Sequence, residues 1–284
     1  MLHETVSKTI NIKGELLDLS RPVVMGILNV TPDSFYSGSR KPQVEDALKR
    51  VEECISQGAT IIDLGAQSTR PTSEFLSADE EIGRLKPVLA AINGSFPDVV
   101  LSIDTFYADV ARFCVQEYGV DIINDISGGE LDATMFDTVA ELNVPYILMH
   151  MRGTPQTMQQ QTDYNNLLED IVLYLSERVR KLHLAGVNDI ILDPGFGFAK
   201  TVEQNYELMS NLSFFKNFEL PLLVGISRKS MITRLLDVSA SEALNGTTVL
   251  NTYALMNGAN ILRVHDVKEA VETIKIVEQL TKLR

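Results

Sequence analysis

Cysteine is scarce: the 284 residues contain two, Cys54 and Cys114. Two such thiols suggest neither a disulfide framework nor a metal-spaced cluster, which fits a reducing compartment. Cys54 falls on the apolar face of a predicted helix, where a thiol behaves as a small hydrophobe. Basic residues are also few. Lys and Arg total 25 against 38 Asp and Glu, a formal net charge of −13. That balance argues against broad nucleic-acid binding, which needs a basic footprint. It leaves an anionic small molecule open, because a few cations converging in one pocket set the local field. No apolar run reaches the ~18 residues of a membrane-spanning helix, and Met1–Asn11 lacks the apolar core of a signal peptide. The expectation is a cytoplasmic protein with no membrane or nucleic-acid partner.

Hydrophobic residues make up 45% of the chain, enough for a large core. Short, β-rich apolar runs recur at Val23–Val30, Thr60–Leu64, Val99–Ile103, Val120–Asn124, Tyr146–Met149, Ile190–Asp193, Leu222–Ile226 and Asn260–Val264. Continuous runs of this length suit strands buried on both faces. Helical patterns lie between them. Val44, Ala47, Leu48, Val51, Cys54 and Ile55 form one stripe, stopped by Gly58. Ser77 with Glu80, and Thr201 with Gln204, are capping-box signatures. Gly186 and Gly258 end two further helices, and Asp266 is placed to cap the last, Val267–Leu280. Eight strands each followed by a helix predict an α/β fold, a closed (β/α)8 TIM barrel, as one domain over 1–284. Closure pairs the first strand with the last. The runner-up, an open doubly wound sheet, lacks a Gly-x-Gly-x-x-Gly after its first strand. Residues 7–17 alternate around Asn11–Gly14 and predict a short N-terminal hairpin plugging the barrel's lower end.

Polar residues gather where strands end: Asn29, Asp63, Asp104, Asn124 and Asp193, then Ser227-Arg228-Lys229 after the seventh strand and Arg263 and His265 around the end of the eighth. In a barrel this is the C-terminal rim, where active sites sit. Any one of these could simply cap a helix; seven strands ending this way are harder to explain by capping. Asp104, Asn124 and Asp193 can accept paired hydrogen bonds from a flat amidine-like edge. Arg70, Lys229, Arg263 and His265 form a basic set, and the last two precede a helix whose free N–H groups favour an anion. His150, after the fifth strand, suits the pocket lining and an internal hydrogen bond equally.

Seven motifs in order resemble the dihydropteroate synthase family: Met25-Gly-Ile-Leu-Asn-Val-Thr-Pro-Asp-Ser-Phe35, Ile62-Asp-Leu-Gly-Ala-Gln-Ser-Thr-Arg-Pro71, Ser102-Ile-Asp-Thr105, Ile123-Asn-Asp125, Asp193-Pro-Gly-Phe-Gly-Phe198, Gly225-Ile-Ser-Arg-Lys-Ser230 and Arg263-Val-His-Asp266. The resemblance implies a folate-synthesis transferase that joins 6-hydroxymethyl-7,8-dihydropterin pyrophosphate to p-aminobenzoate. It implies that Asp104, Asn124, Asp193 and Lys229 hold the pterin, with Met149 and Phe198 near its ring. Asn29, Arg70, Arg263 and His265 then hold the pyrophosphate, Asn29 also meeting Mg²⁺, and Lys229, Arg263 and His265 carry the catalytic assignment. Phe35, Thr69, Arg70, Pro71, Arg228 and Ser230 form the p-aminobenzoate side. A homodimer through the late helices is implied as well. The chain departs from the family pattern at Ala66, Gln67 and Thr72 of the second loop and at Tyr36-Ser-Gly-Ser39 of the first. Two other activities suit the same pocket. One is a methyltetrahydrofolate–corrinoid methyltransferase, which needs no pyrophosphate grip; the other is an inactive pterin-binding scaffold.

Overall fold

Apolar runs of four to seven residues have enough β-formers to leave the helical basin and too little polarity to face water, so they pair side by side. The computed structural model describes residues 8–30, 40–67 and 75–282. Its order begins β1 (Thr9–Ile12), β2 (Glu15–Asp18), β3 (Val23–Asn29), α1 (Arg40–Gln57), β4 (Ile61–Gly65), α2 (Ala78–Ser95), β5 (Val100–Asp104) and α3 (Ala108–Tyr118). It continues β6 (Ile122–Asp125), α4 (Met135–Leu142), β7 (Tyr146–Met149), α5 (Leu167–Ala185), β8 (Ile190–Asp193) and α6 (Val202–Ser210). The last elements are β9 (Leu223–Val224), α7 (Ser230–Leu236), α8 (Leu244–Met256), β10 (Ile261–Val264) and α9 (Val267–Lys282).

Strands β3 to β10 are parallel, in the order β8-β7-β6-β5-β4-β3-β10-β9. The first and last of them pair as barrel closure demands, with Arg263 opposite Met25. A single bridge from Leu192 to Leu222 joins β8 to β9 and completes the ring. β9 is shorter than its apolar run because it contributes little more than this seam. Two helices, α7 and α8, occupy the crossover where the sequence pattern predicts one.

Local signals explain the helix ends. Both capping boxes form, at Ser77–Glu80 and Thr201–Gln204. Gly186 ends α5 in the left-handed conformation; α8 instead ends on Asn257, with left-handed Gly258 one residue later. Asp266 differs from expectation. It gives both carboxylate oxygens to Arg228, at 2.8 and 2.9 Å, rather than capping α9 with its side chain. Both cysteines are free and buried in the layer between strands and helices.

Alternate strand residues point into the barrel. The lower layer is apolar: Met25, Ile61, Ile122, Ile147, Ile191, Leu223 and Ile261 pack with Ile10 and Leu19. The β1–β2 hairpin therefore plugs the lower mouth. Lys13 ties it down through Asp121 (2.7 Å), the Asn11 N–H through Asp189 (3.1 Å), and Asn260 through the Leu19 carbonyl (2.8 Å). Two residues further along β4, β6, β8 and β10 the inward positions turn polar, and the site begins there.

Candidate active site

The step from Ile61 to Asp63, Ile122 to Asn124, Ile191 to Asp193 and Ile261 to Arg263 is one pleat, so each of these polar side chains enters the upper barrel. They line or support a cavity of about 370 Å³ whose wall includes Asn29, Asp104, Asn124, Met149, Asp193, Phe198, Arg228, Lys229, Arg263 and His265. Ten of the residues picked from sequence thus share one pocket at the C-terminal mouth. Ser230 opens α7 with its side chain exposed, outside that wall. Phe35, Thr69, Arg70, Pro71 and Thr72 lie outside the described residues.

Arg263 is the hub. Its Nε donates to Asp63 Oδ2 and its NH2 group to Asp104 Oδ2, both at 2.6 Å. Asp63, fully buried, also accepts from Ser102 Oγ at 2.6 Å and Asn124 Nδ2 at 3.1 Å. Burial opposes charge on Arg263, but Asp63 and Asp104 override it and hold the guanidinium charged. Two carboxylates share this one cation. Burial, with Asp63 as a like charge, accordingly pushes Asp104 up to about 7, although Arg263 pulls the other way. Burial also raises Asp193, against the pull of Lys229 and the Gly195 N–H, which donates to Asp193 Oδ1 at 2.8 Å.

Lys229 crosses the cavity from the seventh loop. Its ammonium donates to the Phe196 carbonyl at 2.5 Å and stands 4.7 Å from the centre of the Phe198 ring. Burial lowers its pKa to about 8. His265 pairs through Nδ1 with Ser227 Oγ at 3.1 Å. Burial and nearby Arg263 press its pKa down to about 4, so it meets a ligand as a neutral imidazole rather than as a cation. Arg228 is occupied: besides its fork with Asp266, it donates to the carbonyls of Ala240 and Ser241 at 2.6 and 2.8 Å. It braces the seventh loop to the eighth.

The structure resolves the two readings of His150 in favour of an internal bond. The ring is buried and its Nδ1 lies 3.0 Å from Lys200 Nζ. Gln67 reaches the cavity wall, and its Oε1 accepts the Leu76 N–H at 3.1 Å. Sequence reasoning gave no role to Asp63 or Lys200. Asp63 was findable, since it stands on the same inward face as Ile61; Lys200 carries no pattern that separates it from a surface lysine.

A barrel whose mouth sets hydrogen-bonding carboxylates and an amide against cations and a helix start is that of a pterin-binding enzyme. The sequence profile of the family described as pterin binding enzyme matches residues 25–265. The dihydropteroate synthase of Escherichia coli (strain K12) is 46% identical over 272 residues, 94% of each chain. The dihydropteroate synthase of Yersinia pestis, solved as a sulfonamide drug complex, superposes with a TM-score of 0.90 at 43% identity, covering 96% of this chain and 99% of that one. That of Thermus thermophilus, in complex with 4-aminobenzoate, gives 0.86 at 35% identity, with 96% and 100% covered. The chain belongs to the dihydropteroate synthase family.

Proposed function

We propose that this enzyme joins 6-hydroxymethyl-7,8-dihydropterin pyrophosphate to p-aminobenzoate, releasing pyrophosphate and 7,8-dihydropteroate. One observation carries the reading: acceptors for a flat amino-heterocycle (Asp104, Asn124, Asp193) and donors for an anion (Arg263, His265) line one cavity. Carboxylates bind the paired N–H groups of a 2-amino-4-oxo pterin edge, as they bind a guanidinium. Met149 and Phe198 give the ring apolar contact. Lys229 lies between the ring and the anion side, where it donates to either. A corrinoid methyltransferase has no use for the anion side. An inactive scaffold has no need of Lys229, Arg263 and His265 together.

The chemistry is substitution at the pterin methylene. As the C–O bond breaks, negative charge grows on the departing pyrophosphate and positive charge on the methylene. Arg263, His265 and the α9 N–H groups stabilise the first; the electron-rich pterin, held by Asp104 and Asp193, shares the second. The p-aminobenzoate nitrogen then forms the new bond and loses a proton. No protein nucleophile enters, so the chain contributes by positioning and by fixed dipoles. Phe35, Thr69, Arg70 and Pro71, from the first two loops, are the residues proposed to contact p-aminobenzoate.

The donor set at Asn29 fits Mg²⁺. No group of three His, Cys, Asp or Glu forms a metal cage among the described residues. A single amide oxygen at the cavity mouth suits a hard cation that keeps several waters and takes substrate phosphates as its other ligands. When bound, Mg²⁺ supplies positive charge to the pyrophosphate oxygens. The chain is also proposed to work as a cytoplasmic homodimer. Leu235 and Leu236 of α7 and Val249, Tyr253 and Met256 of α8 expose apolar surface suited to a second copy. No helix among the described residues is long and apolar enough to cross a membrane.

A turnover assay with single components omitted tests the reading. Pyrophosphate is expected only when the pterin substrate, p-aminobenzoate and Mg²⁺ are all present. Tight pterin binding without turnover would favour the scaffold.

A further inference from the structure

Lys200 is one of the most deeply buried charged side chains in the molecule, 3% exposed, and it does not line the cavity. Its ammonium has three N–H donors and three acceptors: the carbonyls of Gly195 at 2.9 Å and Phe198 at 3.0 Å, and His150 Nδ1 at 3.0 Å. None of the ion pairs among the described residues includes it. Burial lowers its pKa to about 7 and places His150 well below the ordinary imidazole value. His150 therefore accepts at Nδ1 as a neutral ring. A buried cation without a bonded carboxylate is costly, and a methionine would fill the same space more cheaply.

The ammonium shapes the segment between β8 and α6. Gly195, Gly197 and Ala199 are all left-handed, at φ 73°, 82° and 50°, and the chain coils around Nζ. Two carbonyls turn inward to Lys200, while the Phe196 carbonyl turns to Lys229. The same Gly195 whose carbonyl Lys200 holds donates its N–H to Asp193. The same Phe198 whose carbonyl it holds presents its ring to the cavity. His150 completes the cage: its backbone N–H donates to the Asp193 carbonyl at 3.0 Å, and its ring packs edge-on to Tyr174 at 4.7 Å. Tyr164 closes the top by donating to the Ala199 carbonyl at 2.9 Å.

We propose that Lys200, with His150 as its acceptor, is a positioning residue that fixes Asp193 and Phe198 at the pterin wall and so sets pterin affinity without touching the substrate. The inference rests on the pterin reading of the cavity. The test combines calorimetric binding of the pterin pyrophosphate with steady-state kinetics on Lys200→Met, His150→Asn and His150→Leu. Lys200→Met is expected to raise both Kd and KM for the pterin at least tenfold, with kcat at saturation within threefold. His150→Asn keeps an acceptor in the Nδ1 position and is expected to stay within threefold of wild type; His150→Leu is expected to match Lys200→Met. A Lys200→Met protein that melts cooperatively and binds with the wild-type Kd would overturn the proposal. So would a fall in kcat with unchanged KM, because loss of folded fraction alone produces that pattern. If Lys200→Met does not fold, the His150 pair decides, and equal affinities in the two variants count against the proposal. Failure of the wild-type protein to bind the pterin at all would instead remove the cavity reading, and this inference with it.

Discussion

Asp63 and Arg263, 200 residues apart in sequence, meet at 2.6 Å inside the barrel, where Asp63 Oδ2 takes the Arg263 Nε–H. The contact fixes the guanidinium from its Nε edge and turns its NH2 group to Asp104. Asp63 also holds the Asn124 amide, so one buried carboxylate orients a residue on each side of the site.

Asp63→Asn is accordingly expected to weaken both fold and site. Orphaning a buried charge usually costs 3–5 kcal/mol, and the loss here should be roughly 2–3 kcal/mol because Asp104 still holds Arg263. Urea unfolding measures the first effect and pterin calorimetry the second. Wild-type stability in the variant would show that Asp104 alone suffices.

Pterin affinity should depend on pH with a definite sign. Asp104, raised to about 7, and Asp193, raised by burial, must ionise to accept the pterin N–H groups. Binding of a pterin that lacks the pyrophosphate is expected to tighten as pH rises from 6 to 8. Asp104→Asn should flatten the part of that rise centred near pH 7. A level profile in the wild-type protein would contradict this.

Glu81 on α2 is fully buried, and neither carboxylate oxygen finds a well-formed hydrogen bond among the described residues. Burial raises its pKa from 4.5 to about 7; Asp104 adds to the effect, and the Thr105 side chain opposes it. A carboxyl raised in the fold destabilises it above that value and ceases to do so below its unfolded value. Replacing Glu81 by Gln should therefore stabilise the protein more at pH 8 than at pH 4.5, by about 3 kcal/mol at 1.36 kcal/mol per pKa unit. Thermal melts of both proteins across that range measure the difference. An offset independent of pH would mean that folding leaves the pKa of the carboxyl unchanged.

Gly195 sits at φ +73°, and a Cβ there would stand 2.0 Å from the His150 carbonyl oxygen. Gly195→Ala must displace the segment that carries Phe198. It is expected to cost more than the ~1–3 kcal/mol of backbone strain alone and to reduce pterin binding sharply. Normal pterin affinity in this variant would show that the wall tolerates movement.

The barrel was legible because it is written in repetition: apolar runs at strand length, stripes at helical spacing, and capping boxes that form where their residues stand. The rim was legible because polar residues end strand after strand. The boundaries of β9 were not, since an apolar run such as Leu222–Ile226 does not reveal how few of its residues pair. Asp63 was legible as an inward strand-end residue, but its pairing with Arg263, 200 residues away, was not, and Lys200, around which the chain coils, carries no pattern in the sequence. The charge state of His265 was hidden for the same reason, because burial beside Arg263 makes it neutral.

The central claim is that two unlike grips share one cavity, and crossed binding of half-ligands tests it most directly. Calorimetry with 6-hydroxymethylpterin and, separately, with pyrophosphate and Mg²⁺ would be run on wild type, Asp193→Asn and His265→Leu. The account predicts that Asp193→Asn loses the pterin at least tenfold while keeping pyrophosphate, and that His265→Leu does the reverse. Equal losses of both ligands in both variants, or no loss in either, would contradict it.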